Sequence, residues 1–556
     1  MSRPYHVLAV DVASIQDYIF GSNTLRENVG ASYLVAVATG EWSFKALEEA
    51  LDGKASNVVR GVGIIDPNKH FEKGLAAEVL YAGGGKFIAL FRDSDDAKRF
   101  GQTLSKRVLE QAPGLVLSMG HSPCDFDQGS LSQAVSDAIG DAAKRRKVAP
   151  KSAPLLGLGV TVACTSTGMP AVAMSDSLKD DEGNSDAPRP ISAEVRAKWD
   201  VVQSPQPSLA QQALLDAVDG VMLGDFEFPL DFDNLGRSKG DTSYIGVVHA
   251  DGNGIGKKFI KLSECYKEKI GATENRAYIK AVRELSNKVK DASKKALQDL
   301  VDSLIAKIEH RLNNKNENEY FISVGEGQAD IILHKYKDGK YDLPFRPLIF
   351  GGDDLTFVCD GRLAVGLAAE YLRCFEKATA DVFDENKPLY AAAGIAIVKT
   401  HYPFSRAYDL AEELCSTAKK VFRGQSISQL DWYIAQSGTY DKLEDMRKRE
   451  YRANDGAELT ARPFTVAHAA TDKTSIHDWE TMAHLLKEFG SGKWAEKRNK
   501  ALALRDALRE GKEAVDRFLT LFGGSLPTLN GISYKDPIGR GAYFDALELL
   551  DFYVQI

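Results

Sequence analysis

The sequence predicts an α+β fold: two ferredoxin-like βαββαβ units in tandem, a helical linker between them, and a C-terminal helical domain. Three observations predict it. The order strand, helix, hairpin, helix, strand occurs twice along the chain. Each copy has a glycine turn between two apolar strands, Gly83-Gly84-Gly85 in the first and Gly351-Gly352 in the second. Beyond about residue 440 strand alternation gives way to helical spacing.

The first copy begins with a strand over His6–Val10 that ends at Asp11, and helical spacing follows from Ile15 to Thr39. The apolar run Val79–Phe91 folds back on its glycines as a hairpin. A helix from Ser94, read as its N-cap, to Glu110 and a strand over Leu115–Met119 complete the unit. In the second copy a strand ends at Asp251, and helical spacing covers Lys257–Arg311. A hairpin turns at Gly351–Asp354, followed by a helix (Leu363–Phe383), a strand (Tyr390–Val398), a helix (Phe404–Val421) and a last strand (Asp431–Ala435). Asp176–Pro207 is rich in Asp, Ser and Pro and reads as a surface loop, as does the polar stretch 313–320. Helices are expected over Trp479–Phe489, Ala495–Arg509, Ala514–Phe522 and Ala542–Tyr553. The expected domains are therefore residues 1–150, a linker region 151–240, 241–440 and 441–556.

Composition narrows the function. A chain of 556 residues exceeds a single core, and its 44% apolar content supports several. A net charge of −8 argues against a protein that is mainly a nucleic-acid binder, although a local basic groove stays open. The six cysteines are scattered without a C-x-x-C, as in a reducing cytoplasm. No run of about 18 apolar residues occurs, and Met1–His6 enters a strand directly, so neither a membrane span nor a signal peptide is expected. No Ser-His-Asp arrangement is visible, and His477-Asp478 lacks partner histidines at metal spacing. The run Lys144–Lys147 reads as a solvated face.

The chemistry concentrates in the second unit. Leu348–Val358 places Asp353 and Asp354 at a hairpin tip, and the neighbouring strand Tyr244–Ala250 runs into Asp251. Three carboxylates of this kind suit two Mg²⁺ or Mn²⁺ ions about 4 Å apart, which activate a 3′-hydroxyl and stabilise leaving pyrophosphate. Gly351 and Gly352 permit a tight turn and close phosphate approach. Neighbouring strand residues face opposite sides, so an ideal hairpin puts only one of Asp353 and Asp354 on the face of Asp251. After Asp251 the stretch Gly252-Asn253-Gly254-Ile255-Gly256-Lys257-Lys258 opens a helix whose free N–H groups form an anion nest. It matches neither the Walker nor the dinucleotide glycine pattern. Lys419 ends the Ala411–Ala418 helix, where it serves either as ordinary surface charge or as a triphosphate contact.

These residues resemble a known family. The Gly351–Asp354 hairpin, the Ala391–Ile397 strand with His401-Tyr402-Pro403, and the Ala411–Lys419 helix are similar to the polymerase-like large subunit of type III CRISPR effectors. So are Asp11–Phe20 with Gly30-Ala31-Ser32, and Tyr81–Phe87, which look like that family's first palm domain. The likeness runs from the first residues to about 435. It implies two palms that turn ATP into cyclic oligoadenylate messengers in antiviral defence. Asp251, Asp353 and Asp354 then serve as catalytic metal ligands, and the partners are effector subunits with guide and target RNA. The hairpin also relates the second palm to GGDEF-type cyclases.

The sequence departs from the family in three places. No histidine-aspartate nuclease domain precedes the first palm, so no DNase activity is expected. A zinc knuckle is reduced to Cys164-Thr165-Ser166-Thr167, with Thr167 for the second cysteine, so no zinc is expected. The usual Asp-x-Asp reads Asp251-Gly252-Asn253, which weakens the second acidic contribution. These losses fit a streamlined, standalone member. Two other readings stand beside the ATP-consuming synthase: a silent nucleotide-sensing or scaffold subunit, and a template-dependent polymerase, which the acidic charge disfavours.

Overall fold

The computed structural model describes residues 5–148, 161–175, 188–203, 207–236, 243–325, 328–336, 338–383, 388–435, 441–466, 476–491, 494, 497–522, 525–527 and 533–556. The chain forms two compact units, Met1–Asp216 with Gly254–Asp291, and Ala217–Asn253 with Ala292–Ile556.

The first unit is built around β1 (Tyr5–Ala13), whose Val7, Leu8, Ala9 and Val10 are all buried, as a continuous apolar run in mid-sheet should be. Along the chain follow α1 (Ile15–Phe20), α2 (Leu25–Thr39), α3 (Glu41–Leu51), the short pair β2 (Val58–Val59) and β3 (Ile64–Ile65), and the hairpin strands β4 (Ala77–Gly83) and β5 (Lys86–Phe91). Then come α4 (Ser94–Gln111), β6 (Val116–Cys124) and α5 (Leu131–Val148). The sheet order is β4-β5-β1-β6, with every neighbouring pair antiparallel. Two local expectations need correction. The helical spacing of 15–39 is split between α1 and α2 at Gly21–Thr24. The cap of α4 is Asp93, whose carboxylate accepts from the Asp95 N–H at 2.9 Å, and Ser94 is already helical.

Next are β7 (Ala171–Met174), β8 (Pro190–Ser192), α6 (Ala193–Asp200) and α7 (Leu209–Ala217). The segment read as a loop over Asp176–Pro207 thus contains a capped helix, with the Ser192 hydroxyl accepting from the Val195 N–H and Val195 and Trp199 buried. Residues 176–187 and 204–206 of that segment lie outside the described residues.

Beyond β9 (Phe226–Glu227) the second sheet is organised by β10 (Tyr244–Gly252), buried from Ile245 to Ala250. α8 (Ile255–Lys267) and α9 (Ala272–Ile305) follow, and the division between the units falls within α9. The single helical stretch expected over 257–311 is broken at Gly271, where φ is 102°, and its end is a strand. That strand, β11 (Glu309–Leu312), pairs with β12 (Asn318–Ile322), which pairs with β13 (Ile331–Ile332). Only the tip of the polar stretch 313–320 is therefore a loop.

The remaining elements are β14 (Tyr341–Asp342), β15 (Phe345–Gly351), β16 (Asp354–Asp360), α10 (Ala364–Val382), β17 (Ala391–Lys399), α11 (Phe404–Val421), β18 (Ser428–Ile434), α12 (Leu443–Glu450) and β19 (Phe464–Val466). Helices α13 (Trp479–Ser491), α14 (Arg498–Glu510), α15 (Lys512–Phe522) and α16 (Pro537–Leu549) close the chain. The main sheet runs β15-β16-β10-β17-β18-β19. Its first four strands repeat the order of the first unit: second, third, first, fourth in sequence. The segment after 440 is not purely helical, because β19 pairs with β18. Trp432 of β18 stacks on Phe464 of β19 at 5.5 Å between centroids. Arg462, fully buried, lies over Trp432 and Tyr451 and pairs with Asp545 and Glu548 of α16, each at 3.1 Å.

One packing detail occurs in both units. A Cβ on Gly120 of β6 would stand 2.0 Å from the Ala138 carbonyl oxygen of α5, and one on Gly394 of β17 would stand 1.9 Å from that of Ala411 in α11. Only glycine admits so close a helix. Gly120 pairs with Ala9 and Gly394 with His249, two residues before Asp11 and Asp251 respectively; the strand expected to end at Asp11 runs on to Ala13.

Candidate active site

Asp251 sits at the end of β10, directly across from Asp354, the first residue of β16. A direct cross-strand pair shares one face of the sheet. Asp353 escapes strand alternation because it belongs to the turn: Gly351 pairs with Asp354, leaving Gly352 and Asp353 as a two-residue loop. Gly352 has φ 67° and Asp353 does not have positive φ, the type II′ pattern with glycine first. All three side chains therefore converge, with one oxygen from each within 4.8 Å of the others. Of the two glycines only Gly352 needs positive φ, and a Cβ added at either would meet no atom within 4 Å.

Like charges this close hold protons. Burial, then the charge of Asp251, pushes the Asp353 carboxyl up to about 6. Asp354 is raised further, by burial of its carboxylate, a hydrogen bond with Asp251 and the charges of Asp251 and Asp353, although the outer edge of the residue is exposed. Lys419, in the last turn of α11, forms an ion pair with Asp251 and donates to the Gly252 carbonyl at 3.3 Å. Of the two roles open to it in the sequence, surface charge is ruled out: it belongs to the acidic cluster.

Sequence reading missed the support beneath the acids. His249 and Thr356, two residues from Asp251 and Asp354 on the same face, pair across the strands, with Nδ1 to Oγ1 at 3.1 Å. The His249 ring lies edge-on to Tyr408, and burial lowers its pKa to about 4, so it is neutral at pH 7. Ser293 of α9 donates to the Gly352 carbonyl and fixes the turn. The Tyr371 hydroxyl of α10, fully buried, has its pKa raised by burial and by the nearby acids. The alternation of His249 with Asp251 was the available signal; Ser293 and Tyr371 left none.

Asn253 is not in the cluster. Its N–H donates to the Tyr390 carbonyl at 2.7 Å, and its side-chain amide donates to Ile427 O and Gln429 Oε1. Gly254 caps α8 with φ 76°, and Gly256 and Lys257 lie exposed in the first turn of that helix. Cys164 is buried in a loop closed by Gly168 N–H to Cys164 O at 2.9 Å, and Thr167 donates to Ser192 Oγ at 3.0 Å. Burial would raise that thiol, but hydrogen bonds from Thr167, Ser166 and Ser192 leave it lowered. Lys144–Lys147 lie exposed near the end of α5, and within this solvated face Arg146 pairs with Asp11 at 3.1 Å.

Three carboxylates and no nitrogen or sulfur donor make a set for a hard divalent cation such as Mg²⁺ or Mn²⁺. A bound cation would also relieve the repulsion that adds to burial in raising Asp353 and Asp354. Residues 244–427 match the family model described as Cas10/Cmr2, second palm domain. This part of the chain is a Cas10/Cmr2-type second palm domain. The chain's fold is similar to that in three structures of a Csm1–Csm4 cassette. The one in complex with cA4 has a TM-score of 0.53 and 14% identity, covering 99% of this chain and 70% of that one. Those with pppApApA and with AMPPNP each have a TM-score of 0.51, at 14% and 15% identity, covering 99% of this chain and 69% of theirs. No curated protein sequence matches this chain. Among the described residues no helix is long and apolar enough to cross a membrane.

Proposed function

We propose that this Cas10-like chain is a metal-dependent nucleotidyltransferase that joins ATP into cyclic oligoadenylates in type III CRISPR-like defence. The observation that carries the proposal is the convergence of Asp251, Asp353 and Asp354 at one strand end of a Cas10/Cmr2-type second palm. The bound ligands of the similar Csm1–Csm4 structures, cA4, pppApApA and AMPPNP, support ATP as substrate and a cyclic product. The Csm4 in those structures supports a neighbouring effector subunit as partner. We read the two sheets, with their shared strand order, as tandem ferredoxin-like palms.

The three carboxylates would hold two Mg²⁺ or Mn²⁺ ions. When bound, such ions ease ionisation of a 3′-hydroxyl and offset the charge of departing pyrophosphate. The chain's own residues supply the positioning. Asp251 and Asp354 are set by strand pairing, and Asp353 by the turn that Ser293 holds. Lys419 orients Asp251 and offers its ammonium to substrate phosphate once a cation takes the carboxylate. Gly351 and Gly352 leave open space for phosphate oxygens over the turn. Gly252 and Asn253 join the acidic strand end to the start of α8, where Gly254, Gly256 and Lys257 form an anion-binding helix terminus. In this reading Asn253 works indirectly, keeping the loop in place through Gln429. The first palm, without hairpin acids, holds an acceptor nucleotide and does no chemistry.

The test is mass spectrometry of products after incubation with each NTP and Mg²⁺ or Mn²⁺, beside an Asp353→Ala/Asp354→Ala control. A cyclic oligonucleotide made only by the unaltered chain supports the synthase. No product, with unchanged nucleotide affinity in the control and with a Csm4-type partner present, supports the silent sensing or scaffold role instead.

A further inference from the structure

The connection between α3 and β4 encloses an open cavity of about 490 Å³ in the first unit. That lies within the range of small-ligand sites, about 300–1,000 Å³. Its charged lining is Glu48, Lys54, Arg60, Lys69, His70 and Lys73. Two of these are occupied: Lys54 grips Asp96 with both contacts at 2.8 Å, and Glu48 accepts from the Gly61 N–H at 3.1 Å. His70 Nε2 lies 3.1 Å from the Pro67 carbonyl. The side chains of Arg60, Lys69 and Lys73 are exposed and have no ion pair or hydrogen bond among the described residues. Three unpaired cations around one cavity repel one another, in a chain whose net charge is −8. An anion removes that repulsion.

Apolar residues line it as well: Leu51 and Leu75 are buried, and Val59 is exposed. A ligand with an anionic end and a flat, weakly polar body fits both parts. The single lining carboxylate is tied to a backbone N–H, so no oxygen set for a divalent ion exists here. This is the chemical opposite of the Asp251 cluster. We propose that the cavity binds the terminal phosphate of a nucleotide directly, without a metal, with the nucleoside lying against its apolar lining. The phosphate comes either from a free mononucleotide or from the 5′ end of an RNA strand. Lysine suits it, because a compact ammonium binds the dianionic terminal phosphate as a point charge.

The test is calorimetric titration of the full chain in EDTA, which disables the acidic cluster. The probes are AMP, adenosine, and a tetranucleotide RNA with a 5′-phosphate or a 5′-hydroxyl. The expected result is saturable binding of AMP, of the 5′-phosphorylated RNA or of both, with no binding of adenosine. Whichever phosphorylated probe binds identifies the source. Arg60→Ala/Lys69→Ala/Lys73→Ala should weaken that binding at least tenfold and leave product formation by the acidic cluster unchanged. Lys69→Glu/Lys73→Glu should abolish it, with an unaltered circular dichroism melt to show that the fold is intact. Absence of binding by both phosphorylated probes, equal binding of the 5′-hydroxyl RNA, or binding indifferent to both variants would overturn the proposal.

Discussion

The two hairpins of this chain occupy the same place in two sheets of the same order, yet only one gathers acid. In the first, Asp11 pairs in register with Lys86; in the second, Asp251 pairs with Asp354. The turns differ as well. Gly84 and Gly85 both have positive φ, at 55° and 75°, the type I′ pattern, whereas only Gly352 does in the second. A side chain at position 85 is blocked twice, by its φ and by Ile15 Cδ1, 2.5 Å from where a Cβ would stand. Position 353 is free of both restraints. The loss of acid in the first unit is therefore written into the backbone of its turn and not only into its side chains. The basic partner has been kept: Arg146 ends α5 and meets Asp11 as Lys419 ends α11 and meets Asp251.

The largest test of this contrast is catalytic. Asp353→Ala/Asp354→Ala should lower the rate of product formation about 10³-fold or more, which corresponds to roughly 4 kcal/mol of lost transition-state stabilisation. Asp11→Ala should change kcat less than about threefold and act, if at all, on KM. Rates from quantitative chromatography of products decide it; equal losses in the two variants would break the asymmetry.

A second test concerns the backbone. Gly85→Asp should destabilise the first unit by about 2–4 kcal/mol, from positive φ plus overpacking against Ile15. Gly352→Ala, with positive φ but open space, should cost about 1 kcal/mol. Urea unfolding of the two variants measures both, and a Gly85→Asp chain as stable as its parent would contradict the steric account.

The third is proton linkage. Asp353 is raised to about 6 and Asp354 is raised as well, so both retain protons at acidic pH that a cation must displace. Mn²⁺ affinity should therefore rise steeply with pH, by more than about tenfold per unit between pH 5 and 6 because nearly two protons are displaced, with those protons released on binding. Calorimetry in buffers of different ionisation enthalpy reads the release, which should vanish in Asp353→Ala/Asp354→Ala. Affinity independent of pH would mean that the acids are ionised before the metal arrives.

The smallest effect follows from the same shifts. A carboxyl with a raised folded-state pKa favours the fold below its unfolded pKa, and that contribution is lost as pH rises through the folded pKa. Removing the charge should thus help the metal-free chain at high pH. Asp354→Asn should stabilise it by about 1 kcal/mol at pH 8, discounted for partial exposure, and by nothing near pH 4. Thermal melts in EDTA at the two pH values check the sign.

Much of this contrast was legible in the sequence. Apolar runs ending in Asp11 and Asp251, and glycine turns between strands, are local signals, and they located both sheets and the three acids. What escaped depended on tertiary partners. β11 is exposed along its whole length, so no alternation marks it as a strand. β18 begins at Ser428, three residues earlier than read, because polar Ser428 and Gln429 are buried by hydrogen bonding and not by hydrophobicity. Asn253 looked like a substitute acid by position, but its side chain turns toward Gln429. The two roles of Lys419 could not be told apart because its partner is 168 residues away.

The contact of Gly394 with α11 bears on the site as well as on packing. A Cβ there would meet Ala411, Leu414 and Cys415 together, and the helix stays buried along one face from Phe404 to Ala418, one residue short of Lys419. A missing methyl group in the middle of a strand thus helps to fix where an ammonium stands over Asp251.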